Sequence, residues 1–286
     1  MPRVICAGHV NWDVTLHVDD LPGPDGEAQV HELQAGGGGS AANVACGLVG
    51  LGVETALLGS VGGDGNGTEA RHELAAAGVD TTHIQTAPDR PTAVKYIAVD
   101  DDGEVMVFGV PGANEAFDAA GVPEAALAPA EHLHLTGQAP ATATRLAERA
   151  HAAGLTVSVD PGRQVEARDF EPVLARADVV FLNDREARCV TDVGGVVVRK
   201  RGHEGAEVVG GDERYTHPGF AAEATDTTGA GDAFAAGFIA ASLGGAGHEE
   251  ALVVANACGA LASEIRGARA DLSWAGVEAL RARGLE

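Results

Sequence analysis

Thr225-Asp226-Thr227-Thr228-Gly229-Ala230-Gly231-Asp232-Ala233-Phe234 passes from small polar residues through glycines directly into an alanine-rich stretch that continues to Leu243. Side chains this small leave main-chain N–H groups uncovered, and the helix they open adds the positive end of its macrodipole. The stretch therefore reads as an anion site at a helix N-terminus. Asp232 falls in the first turn, where a carboxylate beside the bound anion can take a proton from an incoming hydroxyl; at an ordinary pKa it is ionised at neutral pH. A plainer alternative is that Asp232 complements the dipole and Thr227 or Thr228 caps the helix. A Walker A loop is excluded, because the only lysines, Lys95 and Lys200, lie outside any Gly-x-x-x-x-Gly-Lys-Ser/Thr run.

Outward from this stretch, short β-branched apolar runs alternate with longer Ala/Leu segments of helical period, the pattern of a mostly parallel sheet covered by helices. Strands are expected at Val4–Ala7, Thr55–Leu58, His132–Thr136, Leu155–Val159, Val179–Leu182 and Val196–Arg199. Helices are expected at Ser40–Leu51, Thr68–Ala77, Thr142–Ala153, Gly231–Leu243, Glu249–Ile265 and Ser273–Arg281. Two early segments break the alternation. His9 to Gln34 holds two extended pieces around Leu-Pro-Gly-Pro, and Ala93–Phe108 reads as a hairpin turning at Asp101-Asp102-Gly103. They predict a small separate sheet, from about 9–35 and 91–112, lying as a lid over one α/β domain that spans 1–286.

Two further glycine clusters stand out. Gly36-Gly37-Gly38-Gly39-Ser40-Ala41-Ala42-Asn43 lets backbone approach a ligand and places Asn43 where its amide can bond a substrate hydroxyl. A flexible turn before a closely packed helix is equally compatible with the run. Gly59-Ser60-Val61-Gly62-Gly63-Asp64-Gly65-Asn66-Gly67 superficially suggests a dinucleotide loop. It follows the wrong strand and lacks the later ribose-binding carboxylate, so a structural or substrate-side role is expected.

The 286 residues carry 42 Asp+Glu against 19 Lys+Arg, a net charge of −23 spread along the whole chain. That balance repels nucleic acid and suits a halophilic cytoplasm, where salt near 1 M shortens the Debye length to about 3 Å. With 45% hydrophobic residues the chain is not of disordered composition. It contains no uncharged apolar run of membrane-spanning length and no secretory leader pattern, so a cytoplasmic protein without membrane association is expected. Cys6, Cys46, Cys189 and Cys258 are too scattered for a zinc ribbon. His132 and His134 read as packed residues and not as metal ligands.

Taken together, Asp226-Thr227-Thr228-Gly229-Ala230-Gly231-Asp232 and Gly38-Gly39-x-x-x-Asn43, followed by Leu51-Gly52, resemble the C-terminal and N-terminal signatures of the ribokinase-like (PfkB-type) carbohydrate kinases. The resemblance extends over nearly the whole chain. It implies a three-layer α/β sandwich with a small β-sheet lid, and transfer of the γ-phosphoryl group of ATP to a sugar hydroxyl with Mg²⁺ as cofactor. It further implies that Asp232 is the base and that Gly229, Ala230 and Gly231 supply the amides of the anion hole. Asn11 and Asp13, with Gly38, Gly39 and Asn43, match sugar-binding positions. Asn183 and Glu186 match the family's Asn-x-x-Glu, with Glu186 acting near Mg²⁺ through water, although the same spacing makes a capping box.

On the nucleotide side the resemblance points to Asn183, Lys200, Gly202, Gly205, Thr228 and Asn256. Here the chain departs from the family: Arg199-Lys200-Arg201-Gly202 stands where Thr-x-Gly is usual, so Lys200 or Arg201 either meets phosphate oxygens or is a solvated strand end. Asp160-Pro161-Gly162-Arg163 resembles the Asp-x-x-Arg of fructokinase-like members, making Arg163 an anion-binding candidate or a surface ion pair. Asp226 is a candidate for a monovalent cation such as K⁺, and a homodimer through the lid is the assembly the resemblance suggests. The leading substrate is an unmodified sugar. A nucleoside or a sugar phosphate such as ribose 1-phosphate is the alternative, the latter needing Arg90, Lys95 or Arg163 over the pocket, and a catalytically silent nucleotide or sugar sensor is the reading from outside enzymology.

Overall fold

The computed structural model describes residues 3–283, so the ends of the expected 1–286 span lie outside the described residues. Its central sheet has nine strands, in spatial order β13 (Glu213–His217), β12 (Ala206–Gly210), β11 (Val196–Lys200), β10 (Val179–Asn183), β9 (Thr156–Asp160), β8 (His132–Thr136), β1 (Val4–Ala7), β4 (Thr55–Gly62) and β5 (Ile84–Ala87). From β11 through β5 every neighbouring pair is parallel, while β11–β12 and β12–β13 are antiparallel.

Helices cover both faces, as a parallel sheet requires. Val4 and Cys6 of β1 pack into one core with α1 (Ser40–Gly50), α2 (Gly65–Ala76), α6 (Ala230–Leu243), α7 (His248–Ser263) and α8 (Trp274–Arg283). Ile5 and Ala7 point to the other core, built with α4 (Pro140–Ala152) and the short helices α3 (Glu124–Leu127) and α5 (Glu171–Leu174). The period-two alternation of a strand thus feeds two cores from four residues. The layers are helix, sheet, helix.

A second sheet of four strands runs β3 (Val30–Gly38), β2 (Asn11–Val18), β6 (Ala93–Val99) and β7 (Val105–Val110). The β6–β7 hairpin turns at Asp101-Asp102-Gly103, with Asp100 accepting backbone N–H bonds from Asp102 and Glu104. This sheet ends at the central one: Gly38 and Gly39 close β3 and lead directly into α1.

The β12–β13 hairpin and β5 were not anticipated from sequence. β13 is a half-exposed edge strand of mixed charge, Glu213-Arg214-Tyr215-Thr216-His217, so it lacks the apolar signature. The Asp64 loop is structural, as expected. Asp64 caps α2 by accepting the Gly67 N–H at 3.0 Å, and it also accepts the Thr92 N–H at 2.9 Å and the Thr92 hydroxyl at 2.5 Å, tying the loop to the base of the lid. His132 and His134 are buried in the sheet, sharing the Ser158 hydroxyl between them. Among the described residues no helix is long and apolar enough to cross a membrane.

Candidate active site

The carboxyl ends of the parallel strands and the entry to α6 meet under the small sheet, as the strand-end rule for open α/β sheets leads one to expect. Gly229, in the left-handed region at φ 75°, makes the turn into α6, and a Cβ there would sit 2.1 Å from the Ala268 carbonyl oxygen. Only glycine fits. The Ala230 N–H is taken by the Thr227 carbonyl at 3.2 Å, and the Thr228 N–H by Asp226 Oδ1 at 2.8 Å. The N–H groups of Gly229, Gly231 and Asp232 have no acceptor among the described residues. The N–H groups left free at this turn among the described residues are therefore those of Gly229, Gly231 and Asp232; that of Ala230, expected to be one of them, is spent on the turn itself.

Asp232 accepts a hydrogen bond from Asn43 Nδ2 at 2.8 Å. Burial pushes its pKa up to about 6, a rise that the Asn43 bond, Lys200 and Lys95 oppose and that Asp160 reinforces. Its carboxyl is thus held above the ordinary range, contrary to the expectation from sequence, because burial disfavours the charged form. At pH 7 the ionised form still leads by about ten to one.

Beside α6 opens a cavity of about 600 Å³, lined by Asn183, Lys200, Gly202, Gly205, Ala230, Gly231 and Asn256, with Phe220, Phe234 and Gly259 among its apolar walls. Five of the six residues expected on the nucleotide side line it. The sixth, Thr228, does not, and its neighbour Thr227 takes that place because the Thr228 N–H is turned to Asp226. Asn256 lines the cavity while its Nδ2 donates to the Leu252 carbonyl at 2.8 Å, so contact with the cavity and a bond to its own helix coexist.

Lys200 is not a solvated strand end. Its Nζ lies 2.5 Å from Asp160 Oδ2 and 3.4 Å from where a Cβ on Gly231 would be. Burial works against its charge, but Asp160 outweighs burial and holds the ammonium above its usual pKa. Asn183 and Glu186 form the reciprocal box that their spacing allows: the Asn183 N–H donates to Glu186 Oε2 at 2.8 Å and the Glu186 N–H to Asn183 Oδ1 at 2.9 Å. Burial first, then the neighbouring Asp160, pushes the Glu186 carboxyl up. No group of three or more His, Cys, Asp or Glu among the described residues is arranged to hold a metal alone. Asp160, Asn183 and Glu186 supply oxygen donors only, which suits Mg²⁺, an ion that keeps several waters and takes its remaining ligands from one or two carboxylates and from phosphates.

On the lid side lies a second cavity of about 340 Å³, lined by His9, Asn11, Arg90, Lys95, Asn114, Glu115 and Arg168, among others. Asn11 Oδ1 accepts from Asn114 Nδ2 at 2.6 Å, and Asn114 Oδ1 accepts the Val10 N–H at 3.2 Å. Asn114 was not singled out from sequence because it belongs to no motif. Asp13 does not line this cavity; its Oδ1 is buried without a partner among the described residues, and a Cβ on Gly38 would fall 2.0 Å from its Oδ2. Gly38 is thus required for the Asp13 carboxylate to occupy its place, whereas Gly39, at φ 96°, turns the chain into α1.

Burial pushes His9 down to about 4, so its ring is neutral, and its Nε2 has no partner among the described residues. Arg168 pairs with Glu115; Arg90 and Lys95 are exposed and make no ion pair among the described residues. Arg163, a candidate either for an anion or for a surface ion pair, lines neither cavity and lies within electrostatic range of Glu186, whereas Arg168, just past the end of the same 3₁₀ turn, lines the second cavity. Asp226 accepts N–H bonds from Thr228 at 2.8 Å and Gly267 at 2.9 Å. Burial pushes its carboxyl up, but these donors outweigh burial and hold it below its usual range.

Residues 1–275 match the pfkB family of carbohydrate kinases. An ATP-dependent ribose-1-phosphate kinase of Halopiger xanaduensis is 51% identical over 279 residues, 94% of each chain. Among solved structures, the ribokinase of Thermotoga maritima superposes with a TM-score of 0.89 at 24% identity, covering 99% of this chain and 100% of that one. An E. coli protein solved in complex with ATP and Mg²⁺ gives 0.86 at 25% identity, with 99% and 100% covered. Ribokinase-type architecture, the turn of free amides beside Asp232 and a family match over residues 1–275 agree that the chain belongs to the pfkB family of carbohydrate kinases.

Proposed function

We propose that the protein transfers the γ-phosphoryl group of ATP to a hydroxyl of a sugar phosphate, with ribose 1-phosphate as the expected substrate. The observation that carries the substrate is the second cavity. In a chain with 19 basic residues against 42 acidic ones, Arg90, Lys95 and Arg168 line one small pocket, and neither Arg90 nor Lys95 makes a close ion pair among the described residues. Unpaired cations over a sugar-sized pocket suit a phosphomonoester. The 51% identity to a ribose-1-phosphate kinase supports the same reading.

In this mechanism ATP fills the larger cavity with its terminal phosphate against the free amides of Gly229, Gly231 and Asp232. Lys200, held by Asp160, adds positive charge on the same side. Asp160 and Asn183, with Glu186 through water, would hold the Mg²⁺ that accompanies ATP, and the bound ion neutralises phosphate charge. Asp232 accepts the proton of the attacking hydroxyl, which Asn11 and Asn43 orient. Phosphoryl transfer asks for positioning and charge stabilisation more than covalent chemistry, and these residues supply both. The small sheet serves as the lid of a single kinase unit that closes over the sugar and excludes water.

The test is ATP consumption with ribose 1-phosphate, other sugar phosphates, free sugars and nucleosides, measured in multimolar KCl. A clear preference for phosphorylated sugars is expected. Preference for free ribose, fructose or a nucleoside overturns the substrate assignment, and no ATP consumption with any of them favours a silent sensor.

The acidic surface suits work in a halophilic cytoplasm. Activity and Tm are expected to rise as KCl is increased from about 0.1 M to above about 1 M, over which the Debye length falls from about 10 Å to about 3 Å. Asp226 stays anionic and keeps lone pairs beyond the two N–H groups it accepts, so K⁺ beside the anion turn is part of this reading. Equimolar NaCl is then expected to support less activity than KCl, and equal activity in the two salts removes the K⁺ site.

The lid carries exposed apolar side chains, Leu33 at 62%, Phe108 at 59% and Val105 at 56%, an unusual surface for so charged a protein. A homodimer covering them is the expected assembly. Sedimentation at the 28.8 kDa of one chain in high salt overturns it.

A further inference from the structure

Arg269, in the segment between α7 and α8, carries no motif and was not singled out from sequence, yet three elements converge on its guanidinium. Its Nε donates to Asn43 Oδ1 on α1 at 3.3 Å, and Nη2 donates to the Gly38 carbonyl at the end of lid strand β3 at 3.3 Å. Nη1 lies 3.3 Å from Glu73 Oε2 on α2. That carboxylate oxygen in turn accepts the Gly37 N–H at 2.7 Å. A Cβ on Gly37 would sit 2.4 Å from Nη1, so the guanidinium rests directly on bare backbone. The Arg269 side chain is only 16% exposed.

The consequence lies in which end of the Asn43 amide faces Asp232. A primary amide can present either its oxygen or its nitrogen, and the oxygen would repel a carboxylate. Arg269 can only donate, so its Nε–H fixes Asn43 Oδ1 on its own side and leaves Nδ2 directed at Asp232 Oδ2, 2.8 Å away. We infer that Arg269 is a positioning residue: through Asn43 it orients the catalytic base, and through Gly38 and Glu73 it makes that orientation depend on where the inner end of the lid lies. The inference rests on Asp232 being the base, as proposed above.

Several other groups bear on Asp232. Lys200 on β11 and Lys95 on lid strand β6 favour its charged form, Asp160 on β9 disfavours it, and the buried Cys6 thiol of β1 lies within electrostatic range. Asp13 on β2 is itself within range of Arg269. None of the charged groups hydrogen-bonds Asp232; the Asn43 amide does. Loss of Arg269 therefore has a signature distinct from general destabilisation. Freed to turn, Asn43 no longer stabilises the carboxylate, and the acidic limb of the kcat profile moves to higher pH.

The test is the pH dependence of kcat for wild type, Arg269→Leu, Asn43→Ala and the double variant, with KM for ATP measured alongside. Arg269→Leu is expected to lower kcat about tenfold, the scale of a misaligned catalytic group. It should also raise the acidic limb by at least about half a pH unit and leave KM for ATP unchanged. In the Asn43→Ala background the same substitution should add no further shift, because the intermediary is gone. Glu73→Gln, which keeps the arginine but removes its anchoring charge, should move the limb in the same direction by less, and it serves if Arg269→Leu does not fold.

An unmoved limb in both Arg269→Leu and Glu73→Gln, or an undiminished shift without Asn43, overturns the inference. Asp232→Asn separates this from failure of the underlying assignment. If that variant is inactive while the limb stays put, only the role of Arg269 is lost; if it is active, the base assignment itself is lost.

Discussion

Asp232→Asn is expected to lower kcat by at least about 100-fold, the usual worth of a general base, and to leave ATP binding as in wild type. The two side chains have the same shape, and the introduced amide can still accept the Asn43 Nδ2 hydrogen bond through its oxygen, so what the substitution removes is the capacity to take a proton. ATP affinity is retained because the nucleotide cavity and the free amides of Gly229 and Gly231 do not use this side chain. The wild-type pH profile carries a second signature. With the Asp232 pKa of the free protein pushed up to about 6, kcat/KM is expected to fall as pH drops through that value, about tenfold per pH unit further below it. In Asp232→Asn that limb is absent.

Stability supplies the control. A carboxylate whose pKa is higher folded than unfolded destabilises the native state when ionised, so folding is penalised above pH 6 and relieved as pH falls toward 4. Asparagine carries no such penalty, and Asp232→Asn is expected to have a Tm at pH 8 at or above that of wild type. An Asp232→Asn enzyme that is folded and within a few-fold of wild-type kcat removes this residue from the mechanism.

What the chain revealed in advance and what it did not divide along a physical line. The parallel strands and long helices are legible because each buries a continuous apolar run or face, and local pattern is then a direct image of burial. β1, expected and found at Val4–Ala7, buries all four residues. β13 was missed because a half-exposed edge strand carries charges that erase the pattern, and β12 because its short buried run is interrupted by Glu207. Within the site, residues tied to a local backbone geometry were legible: Gly229 at its left-handed turn, and Asn183 with Glu186 in a reciprocal box.

Residues that matter through tertiary contact were not. Arg269 reaches Asn43 across 226 positions of sequence and Asn114 reaches Asn11 across 103, and neither pairing leaves a local trace. The same holds for protonation and for individual amides. The raised pKa of Asp232 and the commitment of the Ala230 N–H to Thr227 follow from packing and from the details of one turn, which spacing does not encode.

Replacing Arg90 and Lys95 together by alanine is expected to raise KM for ribose 1-phosphate by about 100-fold and to leave KM for ATP unchanged, each residue alone accounting for about tenfold. The size follows from what the pocket does when occupied. Exposed in the free protein, both cations are solvated and contribute little to stability, so the variant folds normally. A bound phosphomonoester excludes water from them, and each charge-assisted hydrogen bond so formed is then worth about 1.5 kcal/mol or more. Arg168 contributes less at first because Glu115 already holds it. Glu115→Gln releases that guanidinium and is expected to lower KM for the sugar phosphate. The same alanine variants discriminate between substrate classes, because a neutral sugar offers these residues no charge to meet. For free ribose the double variant should perform no worse than wild type, and preference for the phosphorylated substrate collapses. Equal losses on ribose and ribose 1-phosphate would place Arg90 and Lys95 in lid closure, and unchanged KM for both would move the phosphate site away from the lid.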